Sequence, residues 1–128
     1  MIEPRKFDFA HHSVSLGGDG VATLVGAPYG PHPRADGYVL GLADLATPPP
    51  HGGERHVDSD EVLYLLDGRV EVVLEAEPAR RVALEAGDGL IVPRGVWHRV
   101  EIVERAKLLY ISRGRSEARP VSGRSRRD

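Results

Sequence analysis

Apolar and polar residues alternate with a period of two along most of the chain from Val21 onward, and turn-forming residues separate the alternating runs. A side-chain period of two marks strands, and no window carries a helical stripe with caps at both ends, so the pattern predicts an all-β fold. The predicted strands cover residues 21–27, 37–42, 61–66, 69–75, 80–85, 90–92, 97–103 and 107–112. Asp67-Gly68, between two apolar runs, predicts a type I′ hairpin, whose two central residues need positive φ. Glu77-Pro78, Gly87-Asp88-Gly89 and Pro93-Arg94-Gly95 supply the other turns. Along 61–66, Glu61, Leu63 and Leu65 face one way and Val62, Tyr64 and Leu66 the other. Both faces are apolar apart from one acid, so this strand is expected to be covered on both sides.

The remaining segments punctuate rather than build. Thr47-Pro48-Pro49-Pro50 is stiff, extended and poor in backbone donors, and the flexible His51-Gly52-Gly53 follows it. Residues 26–36, with Pro28, Gly30, Pro31 and Pro33, read as a loop. The expected organisation is an N-terminal arm over 1–20, one β-barrel over 21–112, and a basic tail over 113–128 whose lack of apolar side chains predicts disorder.

With 128 residues the chain has room for one domain with its own core. It has no cysteine, which excludes disulfides, thiolate nucleophiles and Cys-type zinc sites and suits a reducing compartment. No run of 18 apolar residues occurs and the first residues lack a signal pattern, so a soluble, cytoplasmic protein without a membrane partner is expected. The net charge of −2 divides unevenly: residues 113–128 carry six Arg against Glu117 and Asp128, leaving 11 basic and 17 acidic side chains in residues 1–112. An acidic body argues against nucleic acid as a partner.

Candidate chemistry gathers in two stretches. Glu54 and His56, two residues apart on an extended segment, project to one face, and Glu61 follows the turn-rich Val57-Asp58-Ser59-Asp60. On the strand 97–103, His98 shares the interior face with Val100 and Ile102, while Trp97, Arg99 and Glu101 take the other. Two imidazoles and two carboxylates suit a borderline divalent cation, which accepts mixed nitrogen and oxygen donors. Tyr38, on the face of Leu40 and Leu42, is a candidate catalytic hydroxyl or a core tyrosine with its hydroxyl at the rim. Trp97 is expected to pack outside the barrel or against a partner subunit. His11, His12 and His32 have no partner at ligand spacing.

The run from Gly53 to Gly68 resembles the first motif of the cupins, a His-x-His pair followed by Glu and then Gly. Gly87, Pro93, Gly95 and His98 resemble the second. The resemblance implies a double-stranded β-helix, or jelly-roll barrel, with an extended N-terminal arm. It also implies a divalent metal ion (Fe, Mn, Zn or Ni) on His56, Glu61 and His98, a small-molecule substrate, and pairing into a homodimer. Two positions depart from the family pattern: Glu54 stands where the first His belongs, and Ile102 where a terminal Asn belongs. Glu54 is thus a fourth metal ligand or a general base, with His51 as the alternative replacement for the lost imidazole. The implied function is a metal-dependent dioxygenase, isomerase or lyase. The alternatives are a non-catalytic ligand-binding or sensory module, and a metal-free barrel in which Glu61 and His98 form a buried ion pair.

Overall fold

The computed structural model describes residues 3–26, 37–47, 52–114 and 116–120, which form strands and no helix. In chain order these are β1 (Ser13–Leu16), β2 (Ala22–Val25), β3 (Tyr38–Leu45), β4 (Gly53–His56), β5 (Glu61–Glu75), β6 (Arg80–Glu85), β7 (Gly89–Val92), β8 (Trp97–Arg113) and β9 (Ser116–Arg119). The all-β expectation holds, and every pairing is antiparallel.

Two long strands organise the molecule. β5 and β8 pair from Val62↔Ile111 to Glu75↔Trp97. The C-terminal half of β8 also pairs with β3, which carries β1 and then β2, while the first half of β5 carries β7. The N-terminal half of β8 meets β4 at Glu54↔His98, β4 carries β9, and the second half of β5 carries β6. The result is two leaves that share their central strands and curl toward each other in a jelly roll. Leu63, Leu65, Leu108 and Val92 of one leaf pack with Val70, Val72, Leu74 and Leu84 of the other in a single core. The apolar alternation places these side chains inside.

The strands bend from one leaf to the other where the sequence predicts a hairpin. The segments 61–66 and 69–75 do not pair with each other. Both pair with β8, with register shifts between Leu65 and Val70. Gly68 has φ 86°, and a Cβ there would lie 2.1 Å from the carbonyl oxygen of Arg105. Asp67-Gly68 is therefore a corner bulge that lets the two backbones approach, and the same left-handed glycine that would close a hairpin serves it. The predicted strands 97–103 and 107–112 likewise form the one strand β8.

Residues 13–16 and 116–119 form strands that their composition does not suggest. Ser13–Leu16, within the expected arm, is β1, lodged between β2 and β3. Arg113 ends β8, and Ser116–Arg119, within the expected disordered tail, is β9. Backbone ladder bonds to β4 and the contacts of Arg119 supply what apolar side chains do not. Residues 27–36 of the expected loop at 26–36, the prolines at 48–50, His32, His51 and residues 121–128 lie outside the described residues. Val62, Tyr64 and Leu66, expected to be covered, are 42%, 42% and 46% exposed in the single chain. Among the described residues no helix is long and apolar enough to cross a membrane.

Candidate metal centre

The four residues that the sequence singles out converge between the two leaves. Glu61 opens β5 on one leaf, and β4 and the start of β8 bring Glu54, His56 and His98 from the other. The Pro93-Arg94-Gly95 turn is pinned to the site from outside. Gly95 N donates to the carbonyl of His56 at 2.8 Å, and Arg94 N donates to Asp60 Oδ1 at 2.9 Å. Asp60 is thus a turn residue that flanks the site, as its position suggests.

One ligand atom from each of Glu54, His56, Glu61 and His98 lies within 4.8 Å of all the others. Glu61 spans the pair of rings: Oε1 is 2.9 Å from His98 Nε2 and Oε2 is 3.0 Å from His56 Nε2. Glu54 Oε1 sits 3.4 Å from His56 Nε2 and 3.7 Å from His98 Nε2. His98 Nδ1 is 3.1 Å from the Val96 carbonyl and donates to it, which orients the ring and leaves Nε2 for the cluster. His56 differs. Neither of its ring nitrogens makes an aligned hydrogen bond, although two carboxylates lie close to Nε2. His56, Glu61 and His98 are buried, whereas the Glu54 side chain is 30% exposed and marks the open side.

The electrostatics follow from this packing. Burial works against a charged imidazole, but the carboxylates of Glu54 and Glu61 outweigh it and push His56 up to about 10. The same opposition, with Glu61 as the dominant partner, raises His98. Burial alone would raise Glu61, and the two rings reverse that and hold it below its usual value. The donor set fits a divalent ion. Two imidazoles and two carboxylates match a borderline cation in number, type and charge, and an ion on His56 would engage a nitrogen that the protein itself leaves without an aligned partner.

Tyr38 does not join the group. It is 44% exposed on the outer face, with the Arg113 guanidinium 6.0 Å from its ring, because Val39, Gly41, Ala43 and Leu45 are the buried residues of β3. Apolar residues on both faces of that strand hide which face is inner. His11 pairs with Asp8 on the surface at 2.8 Å, away from the cluster. Ile102, which replaces the family's Asn, packs against the core.

Three serines, Ser13, Ser15 and Ser112, are buried without a motif in the sequence that signals it. Ser15 pairs with Val39 and Val39 with Ser112, one residue beyond the Val62↔Ile111 pair that opens the β5–β8 ladder. Ser13, Ser15 and Ser112 complete the buried polar side chains among the described residues, together with His56, Glu61 and His98. In Ser13-Val14-Ser15-Leu16 the polar residues face inward and the apolar ones outward, the reverse of the usual pattern, so alternation alone assigns the wrong face. Trp97 lies on the outer face as expected, between Arg55 and Arg119, whose guanidinium carbons are 5.0 and 4.3 Å from its ring centroid.

Comparison with known proteins agrees with the geometry. The cupin domain family matches residues 45–112. Among solved structures, a point variant of Bacillus subtilis oxalate decarboxylase superposes with a TM-score of 0.53 at 21% identity, covering 64% of this chain and 23% of that one. Hydroxypropylphosphonic acid epoxidase from S. wedmorenis gives 0.52 at 21% identity, covering 62% of this chain and 44% of that one. A cupin-2 domain protein from Shewanella frigidimarina gives 0.44 at 24% identity, with 62% and 70% covered. The chain thus spans less than half of either named enzyme. No curated protein matches the sequence. The family match covers more than half of the chain and contains all four clustered residues, and the chain belongs to the cupin family.

Proposed function

We propose that this cupin is a metal-dependent enzyme acting on a small organic molecule, with dioxygenase chemistry placed ahead of isomerase and lyase chemistry. The observation that carries the reading is the convergence of Glu54, His56, Glu61 and His98 within 4.8 Å. His56, Glu61 and His98 would hold a divalent ion (Fe, Mn, Zn or Ni), with Glu54 as fourth ligand or as general base. Such an ion supplies Lewis-acid polarisation or a common site for substrate and O₂. Glu61 places one oxygen against each imidazole and hydrogen-bonds that of His98, whose ring the Val96 carbonyl also fixes. In the general-base role Glu54, open to solvent on one side, would meet an incoming substrate and accept its proton. Oxalate decarboxylase and hydroxypropylphosphonic acid epoxidase, which share the fold, act by name on small organic acids, and this supports small-molecule chemistry here.

The test is elemental analysis of untagged protein together with metal content and turnover of Glu54→Gln. Retained metal with lost turnover assigns Glu54 as base; lost metal assigns it as ligand. Wild-type protein that takes up none of the four ions after reconstitution overturns the reading. One observation favours a second reading, a non-catalytic ligand-binding module without an ion: His98 Nε2 and Glu61 Oε1 already satisfy each other at 2.9 Å. Stoichiometric metal in the purified protein would exclude it.

The reading includes a cytoplasmic homodimer. Val62, Tyr64 and Leu66 on β5 and Ile91, opposite Val62 on β7, form an exposed apolar strip on the outer face of one leaf. A second copy of the chain would cover it around a two-fold axis. Tyr64→Lys should halve the mass measured by light scattering at micromolar concentration while the fold persists. A wild-type monomer under those conditions removes the dimer.

A further inference from the structure

We propose that β9 is a positioning strap for the metal centre, so that docking of β9 and loading of the ion strengthen each other; this rests on the metal reading given above. The strand β4 supplies Glu54 and His56, half of the ligand set, from only four residues. Its ladder to β8 consists of the pair Glu54↔His98. Its ladder to β9 runs through all four residues, from Gly53↔Arg119 to His56↔Ser116, and Gly52 N extends it by donating to the Arg119 carbonyl at 2.8 Å. β9 thus pairs along the whole of β4, on the edge opposite to the Glu54↔His98 pair with β8.

The side chains of β9 reach past β4 to the strands that carry the other two ligands. Glu117 accepts from Arg55 Nε at 2.6 Å, which locks β9 onto β4. Arg119 pairs with Glu75 at the end of β5. Its guanidinium also caps the ring of Trp97, 4.3 Å from the centroid, while Arg55 lies 5.0 Å from the same centroid. Trp97 immediately precedes His98 and pairs with Glu75. One outer-face cluster thus joins β9, β4, β5 and β8 directly behind the site, and cation–π contact adds to charge pairing there. Without β9, β4 would hold its ligating geometry only part of the time, and the apparent ion affinity would fall by that fraction. Linkage requires the converse: a bound ion tightens β9 by the same factor.

The experiment measures Zn²⁺ and Mn²⁺ dissociation constants for the full chain, for Arg119→Ala and Arg119→Lys in the full chain, and for a chain ending at Gly114. Circular dichroism monitors the fold, and Trp97, the one tryptophan of the sequence, provides the fluorescence signal. The truncated chain should bind about 5- to 150-fold more weakly, the usual range of such couplings. Arg119→Ala should show a smaller loss, and Arg119→Lys should recover part of it. Molar NaCl, which screens exposed ion pairs, should weaken binding by the full chain more than by the truncated one. Saturating ion should slow hydrogen exchange at residues 116–119 in the full chain. If the truncated chain does not fold, the Arg119 variants and the exchange measurement decide. A full chain that binds one ion, with affinity unchanged by truncation or by Arg119→Ala and exchange unchanged by the ion, overturns the strap alone. A full chain that binds neither ion overturns the metal reading and the strap together.

Discussion

The Glu61–His98 pair and the Glu54–His56 pair sit in one cluster yet stand in different physical states. Glu61 and His98 project from strands of 15 and 17 residues, are buried, and satisfy each other through a 2.9 Å hydrogen bond. Glu54 and His56 project from a four-residue strand, one of them partly open to solvent and the other with no aligned partner on either ring nitrogen. The first pair is explained by the fold: a buried acid and a buried base neutralise each other's desolvation. The second pair is explained only in part: the carboxylates hold the His56 ring by charge, but neither ring nitrogen has the aligned hydrogen bond that His98 has. Hence the first pair should matter more to the metal-free protein and the second more to the ion.

The largest effect is expected from breaking the first pair. Glu61→Ala or His98→Ala strands a buried charge and should cost about 3–5 kcal/mol of metal-free stability in denaturant titration. A loss within experimental error would show that the barrel does not depend on the pair. His56→Ala should instead cost less metal-free stability than His98→Ala, because its ring is held by charge without an aligned hydrogen bond, while lowering ion affinity about 10-fold or more, read by calorimetric titration. Equal stability losses for His56→Ala and His98→Ala would erase the distinction between the pairs.

The dependence on pH sharpens the comparison. His56 stands at about 10 in the folded protein against 6.5 ordinarily, so its stabilising contribution is complete below 6.5 and is lost as pH rises toward 10. Raised His98 adds loss in the same alkaline direction, whereas lowered Glu61 contributes above its ordinary 4.5 and is lost as pH falls through its folded value. Metal-free stability should therefore peak between these limits. Ion binding has the opposite slope on the alkaline side, because the ion takes neutral imidazole. Affinity should rise by about tenfold per pH unit for each proton displaced between 6.5 and 10. A flat affinity profile over that range would contradict protonated rings in the metal-free site. The smallest effect is expected from Tyr38→Phe, since that ring lies on the outer face: metal content and turnover should match wild type.

How far residues alone disclose this depends on what each position is asked to do. Alternation finds β5, β6, β7 and β8 because their interior faces are apolar, and motif spacing finds Glu54, His56, Glu61 and His98. The same alternation misplaces Tyr38, since β3 carries Leu40 and Leu42 on its outer face as well as Val39 and Leu45 inside. It misses β1 because serines face inward there, and β9 because Ser116-Glu117-Ala118-Arg119 is held by backbone pairing and by Arg119 on Trp97 rather than by a buried apolar face. Asp67-Gly68 shows a further limit. Local turn chemistry specifies positive φ at Gly68, but whether that closes a hairpin or bends one long strand is decided by the distant backbone of Arg105.

The pairing of β4 with β9 also has a consequence in time. Arg55 and Glu117, joined across that ladder, are 62 residues apart. At a synthesis rate of about 5–20 residues per second, roughly 3–12 seconds separate their appearance on the ribosome. During that interval β4 is an unpaired edge carrying two prospective ligands, open to a strand from another nascent chain. Slower elongation through residues 57–113 lengthens the exposure, and the resulting misassembly should appear as aggregate in pulse-labelled translation reactions, diminishing as elongation is accelerated.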